Sequence, residues 1–97
     1  MVEATIKRTE NKINFSSLYF VDKVVEKKTI DDKFTVRLIK GNDRDGTSCV
    51  GVDVIFKNKY VSAVVLFSNK KEEVVKGIYD KINDFDGVYR FVSLFQI

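Results

Sequence analysis

The chain has 97 residues, 44% of them hydrophobic and 32% charged, with a net charge of +3. This is the length of one domain spanning residues 1–97, with enough apolar side chain to offset ordering entropy, so a single ordered domain is expected. One cysteine and no histidine exclude an internal disulfide, a multi-cysteine metal site and any Ser-His-Asp or Cys-His pair.

No apolar run reaches the roughly 20 residues that span a bilayer. The opening MVEATIKRTE has no apolar stretch of signal type. A cytoplasmic protein with no membrane partner is therefore expected, and a lone cysteine suits a reducing compartment. The basic excess lies early: residues 1–40 hold nine Lys or Arg against six Asp or Glu, and residues 41–97 hold eight of each. Usage rich in Lys, Asn, Asp, Ile, Val and Phe is common in AT-rich genomes, those of phages and mobile elements among them.

Residues 3–8 read as a short strand with Ala4 and Ile6 on one face, and Ile13 and Phe15 hint at a second. Residues 17–28 form a longer strand with imperfect alternation, and the favoured inward set is Leu18, Phe20 and Val24. The pair Asp31-Asp32 suits a turn, because its side chains bond the local backbone. Residues 33–40 alternate cleanly, with Phe34, Val36 and Leu38 inward and Lys33, Thr35 and Arg37 outward. The polar stretch 41–48 reads as an exposed loop or a long hairpin connection. Residues 50–57 alternate again, Val50, Val52, Val54 and Phe56 against Gly51, Asp53, Ile55 and Lys57. Asn58 marks a tight turn into 59–67, whose continuous apolar character points to an inner strand. Residues 33–67 thus form a three-stranded antiparallel meander.

The helix carries the clearest period. Val74, Val75, Ile78, Tyr79 and Ile82 recur along one stripe, Asn69 suits the N-cap, and Glu72 stands three residues on. Gly77 costs about 1 kcal/mol in helix propensity and suggests a close backbone approach. Asp86-Gly87 ends the helical region, and residues 88–96, rich in β-branched and aromatic side chains, are expected to form a last strand. The expected fold is α+β: a single curved, mainly antiparallel sheet of about five or six strands with one long helix, about 70–84, on one face.

No catalytic or cofactor motif emerges. The loop Asp43-Arg44-Asp45-Gly46 resembles a calcium loop only superficially. With Gly46 in the glycine position, Gly41 and Val52 fall where oxygen ligands belong. Cys49 lacks a histidine partner, and no phosphate-binding glycine motif is present. The expectation is a non-enzymatic protein with no metal, cofactor or small-molecule substrate.

Two binding functions remain. A lone helix covers one sheet face, yet the last expected strand is apolar on both parities. Tyr89, Phe91, Phe95 and Ile97 are therefore the expected surface for a protein partner or a homodimer. An accessory or inhibitor-type protein of phage or mobile-element kind is the leading reading. The alternative is a single-stranded nucleic-acid binder, whose sheet face would carry Tyr19, Lys23, Lys27, Lys33, Arg37 and Lys57 as a basic and aromatic track. Several strands followed by a helix resemble, at the level of topology, small sheet-based single-strand binders.

Overall fold

The computed structural model describes residues 19–96. Strands β1 (Tyr19–Ile30), β2 (Phe34–Asp43), β3 (Ser48–Phe56) and β4 (Tyr60–Ser68) form one antiparallel sheet in the order β1-β2-β3-β4. A 3-10 turn (Asn69–Lys71) leads into helix α1 (Glu72–Asp80), and helix α2 (Phe85–Phe95) follows. The fold is α+β, an open antiparallel sheet with two helices among the described residues. The strands expected at 3–8 and around Ile13 and Phe15 lie outside them, as does Leu18. No helix among the described residues is long and apolar enough to cross a membrane.

Local chemistry sets the hairpins. Asp31 and Asp32 both have positive φ, as do Lys57 and Asn58. Lys33 N donates to Ile30 O and Lys59 N to Phe56 O, closing two turns whose twist matches that of the flanking strands. Between β2 and β3, Asp43 Oδ1 accepts from Asp45 N and Thr47 N, each at 2.9 Å. The side chain thus supplies acceptors that the loop backbone lacks.

Both helices lie against one sheet face. Val36, Leu38, Val50, Val52, Val54, Ala63 and Val65 meet Val75, Tyr79, Ile82, Val88 and Phe91 in the main core. On the other face Tyr19, Ile39 and Val64 form a second cluster, joined by Val21, Val61 and Leu66. Cys49 to Val54 are buried without interruption, so β3 is enclosed on both faces.

Four expectations are corrected. Residues 88–96 do not form a strand: residues 85–95 form α2. Val88, Phe91, Val92 and Phe95 recur at three- and four-residue steps and seat one stripe in the core. Asp84, whose Oδ1 accepts from Gly87 N at 2.8 Å, caps the start. The single long helix is two, because the chain leaves helical geometry at Ile82 and Asn83 and restarts at that cap. Asn69 lies in the 3-10 turn, and no side chain caps the start of that turn or of α1. In β1, Phe20 is 60% exposed and Val24 is exposed too, while Tyr19 and Ile30 are buried. Bulges between Val21 and Lys23 and between Val24 and Glu26 break the parity on which the inward reading rested.

Two smaller points follow. The strand at 60–68 ends the sheet instead of lying inside it, although Ala63, Val64 and Val65 are buried; Gln96 forms an isolated bridge to Ala63. The close backbone approach expected at Gly77 occurs instead inside the sheet, at Gly41 against the Phe20 carbonyl and at Gly51 against the Val65 carbonyl, and more loosely at Gly87. At Gly87 a Cβ would meet Lys81 O at 3.1 Å and Ile82 Cα at 3.2 Å, whereas at Gly77 it would meet nothing within 4 Å.

Candidate functional site

Among the described residues, large apolar side chains are exposed on helix α2 and, as Phe20, Val24 and Val25, on β1. The buried stripe of α2 leaves Phe85 53%, Tyr89 63% and Leu94 76% exposed. Phe85 and Tyr89 stand one turn apart. Leu94 lies five residues beyond Tyr89, about 140° further round the helix. The Phe85 ring sits 6.0 Å from that of Phe34, which ties the start of α2 to the sheet. An Arg90–Asp86 pair at 3.1 Å gives the exposed side a charged element. Val74 on α1 is also half exposed.

The structure divides the residues expected to form the protein interface. Tyr89 faces solvent. Phe91 is 4% exposed and belongs to the main core. Phe95 is half-buried, its ring 4.9 Å from that of Phe91, and Ile97 lies outside the described residues. Phe85 and Leu94 join Tyr89 instead. A helical reading of residues 85–95 would have found both, since they fall outside the Val88-Phe91-Val92-Phe95 stripe.

The opposite sheet face holds a buried polar triad. Asp53 has no exposed surface. Arg37 Nε donates to its Oδ1 at 2.9 Å and Arg37 Nη2 to its Oδ2 at 2.6 Å. Tyr19 Oη donates to Oδ2 at 2.7 Å. Arg37 and Asp53 are direct cross-strand partners, so pairing of β2 with β3 creates the fork-to-carboxylate geometry. Burial raises the Tyr19 phenol well above its ordinary range, and the Asp53 charge raises it further. Its bond to Asp53 raises the Arg37 guanidinium. The phenol therefore stays a donor and the guanidinium stays charged, and the triad acts as an internal clamp.

This geometry disperses the expected nucleic-acid track. Arg37 is held by Asp53, and Tyr19 is buried beneath the same network. Lys27 lies opposite Arg37, whereas Lys23 lies opposite Lys40 on the helix side of the sheet. Lys33 and Lys57 come together at the hairpin end, where Lys57 N donates to Lys33 O. Lys59 is exposed in the same turn, and Lys57 Nζ sits 5.1 Å from the Phe56 ring centre.

The remaining reactive groups have structural surroundings. Cys49 is buried, and burial, then the charges of Asp43 and Asp22, raises its thiol, the opposite of what a nucleophile needs. Among the described residues no cluster of three or more His, Cys, Asp or Glu side chains is arranged to hold a metal. Lys28 reaches from β1 to the end of α1, donating to Tyr79 O at 2.8 Å and Asn83 Oδ1 at 3.2 Å, so it serves as a C-terminal cap. Comparison with known proteins finds no matching family model, no matching curated protein and no matching solved structure.

Proposed function

We propose that this chain is a non-enzymatic binding protein of accessory or inhibitor type that acts through a protein–protein interface centred on α2. The observation that supports this reading is the exposure of Phe85, Tyr89 and Leu94 on one 11-residue helix. Phe85 and Tyr89 share one side of the helix and Leu94 lies across the exposed face from them, with the Arg90–Asp86 pair between, so a partner that covers all three would span that whole face: apolar flanks around a charged pair. The interface expected from sequence keeps Tyr89, gains Phe85 and Leu94, and loses Phe91 to the core.

A photo-crosslinking residue placed at Tyr89 or Leu94, in the source cells or with a second copy of the chain, tests the proposal. Both positions should capture the same partner, while the same probe at Asp45 captures none. Capture from neither helix position, or equal capture from Asp45, sinks it.

The second reading, single-stranded nucleic-acid binding, is favoured by one observation, the gathering of exposed Lys33, Lys57 and Lys59 beside Phe56 and Tyr60. It requires an oligonucleotide shift that weakens steeply with salt and is lost when Lys33 and Lys57 are replaced by Glu. No shift at low salt removes this reading.

A further inference from the structure

We propose that the cleft between α1 and the β1–β2 side of the sheet binds a small apolar ligand carrying a positive charge. The cleft has a volume of about 480 Å³, within the range of roughly 300–1,000 Å³ typical of small-molecule sites. Leu38, Val50 and Val75, all buried core side chains, line its apolar interior. Around it stand four carboxylates, Glu26, Glu72, Glu73 and Asp80, against two ammonium groups, Lys40 and Lys76. The surround is therefore acidic on a chain whose net charge is +3.

Two ion pairs link the sheet to the helix beside the cleft. Lys40 meets Glu72 at 2.9 Å, and Lys76 meets Glu26 at 2.7 Å and Asp80 at 3.0 Å. These pairs use both ammonium groups. Glu73 has no ion pair among the described residues, so it is the carboxylate left for a cationic head group.

Two local features shape the walls of the cleft. Gly77 lies inside α1, where glycine costs about 1 kcal/mol against alanine. It is not among the glycines with positive φ, and no atom lies within 4 Å of the position its Cβ would take. Neither the backbone nor a close neighbour requires a glycine there; its effect is to leave the cleft wall open. On the other side, the bulge between Val24 and Glu26 leaves Val25 without a cross-strand partner and brings it to the cleft lining. Bulges re-aim side chains in this way at sheet edges, where β1 lies, and beside binding sites.

The test is a titration of the isotope-labelled full chain, followed by backbone amide resonances, with hexylamine, hexanol and hexanoate as probes. Hexylamine should give saturable shifts at Leu38, Val75 and Gly77, hexanol weaker ones and hexanoate the weakest. Gly77→Leu should abolish the hexylamine shifts while the resonances around Asp53 stay in place. Should that variant fail to fold, Glu73→Gln serves instead and should weaken hexylamine binding roughly fivefold, the scale of one exposed charge contact. No saturable shift with any probe overturns the proposal. So does hexanoate binding as tightly as hexylamine, or hexylamine binding unaltered in the folded Gly77→Leu or the Glu73→Gln protein.

Discussion

Arg37 and Asp53 face each other across β2 and β3 and meet through two hydrogen bonds of 2.9 and 2.6 Å, with the carboxylate wholly enclosed. Removing one partner of such a pair strands a buried charge. Arg37→Leu should therefore lower unfolding free energy by about 3–5 kcal/mol, the range for breaking a buried ion pair. Arg37→Lys should rescue little, because an ammonium cannot reproduce the planar two-bond fork. Urea denaturation followed by circular dichroism measures both. A loss below 1 kcal/mol for Arg37→Leu would show that the clamp does not hold the second sheet face together.

Tyr19 gives the same network a pH signature. Its phenol is raised on folding, by burial first and the Asp53 charge second. A raised group contributes fully below its unfolded pKa, near 10.0, and the contribution is lost as pH rises through the folded value. Stability should thus begin to fall above pH 10. Tyr19→Phe should cost about 1.5–3 kcal/mol at neutral pH, the worth of a hydrogen bond to a charged acceptor, and should flatten that alkaline decline. Unfolding midpoints taken between pH 8 and 11 for both proteins check the sign and the window.

Gly77→Ala should stabilise the domain. The new methyl group meets open space, and α1 gains about 0.5–1 kcal/mol in helix propensity and unfolded-state entropy. The denaturation midpoint should rise with an unchanged slope. A fall in midpoint would mean that this position has a neighbour that the geometry does not show.

Phe91 and Tyr89 should behave oppositely although they stand two residues apart. Phe91→Ala empties a core site and should cost about 3–5 kcal/mol. Tyr89→Ala changes an exposed position and should stay within about 0.5 kcal/mol. Thermal unfolding separates the two. The Tyr89 variant, still folded, can then be assayed for the proposed interface without confounding loss of structure.

Much of the fold is legible locally. The alternation of Phe34, Val36 and Leu38, and of Val50, Val52 and Val54, assigns the helix-facing side of β2 and β3 without any tertiary information. The stripe Val75, Ile78, Tyr79 locates α1. The misreading at 88–96 has an identifiable cause. Val, Tyr and Phe raise strand propensity, and the dense apolar run hides the three- and four-residue spacing of Val88, Phe91, Val92 and Phe95. The stronger signal was Asp84, a side chain suited to start a helix after the interruption at Ile82 and Asn83. In β1 the alternation placed Phe20 and Val24 inward, yet both are exposed, since two bulges break the parity along the strand, and no single residue in that strand announces a bulge.

By itself, the sequence determined the α+β class, the antiparallel meander and α1, because these follow from periods of two and 3.6 residues read over neighbouring positions. It also ruled out histidine chemistry and any disulfide within the chain. Only the tertiary structure decided that Asp53, on the parity opposite Val50, Val52 and Val54, is buried against Arg37 and Tyr19, partners 16 and 34 residues away. Likewise, only packing sent Phe91 into the core and left Phe85, Tyr89 and Leu94 on the surface. The physical reason is one of range: alternation sets the direction of a side chain relative to its own strand or helix, whereas burial and pairing depend on which distant segment arrives to cover it.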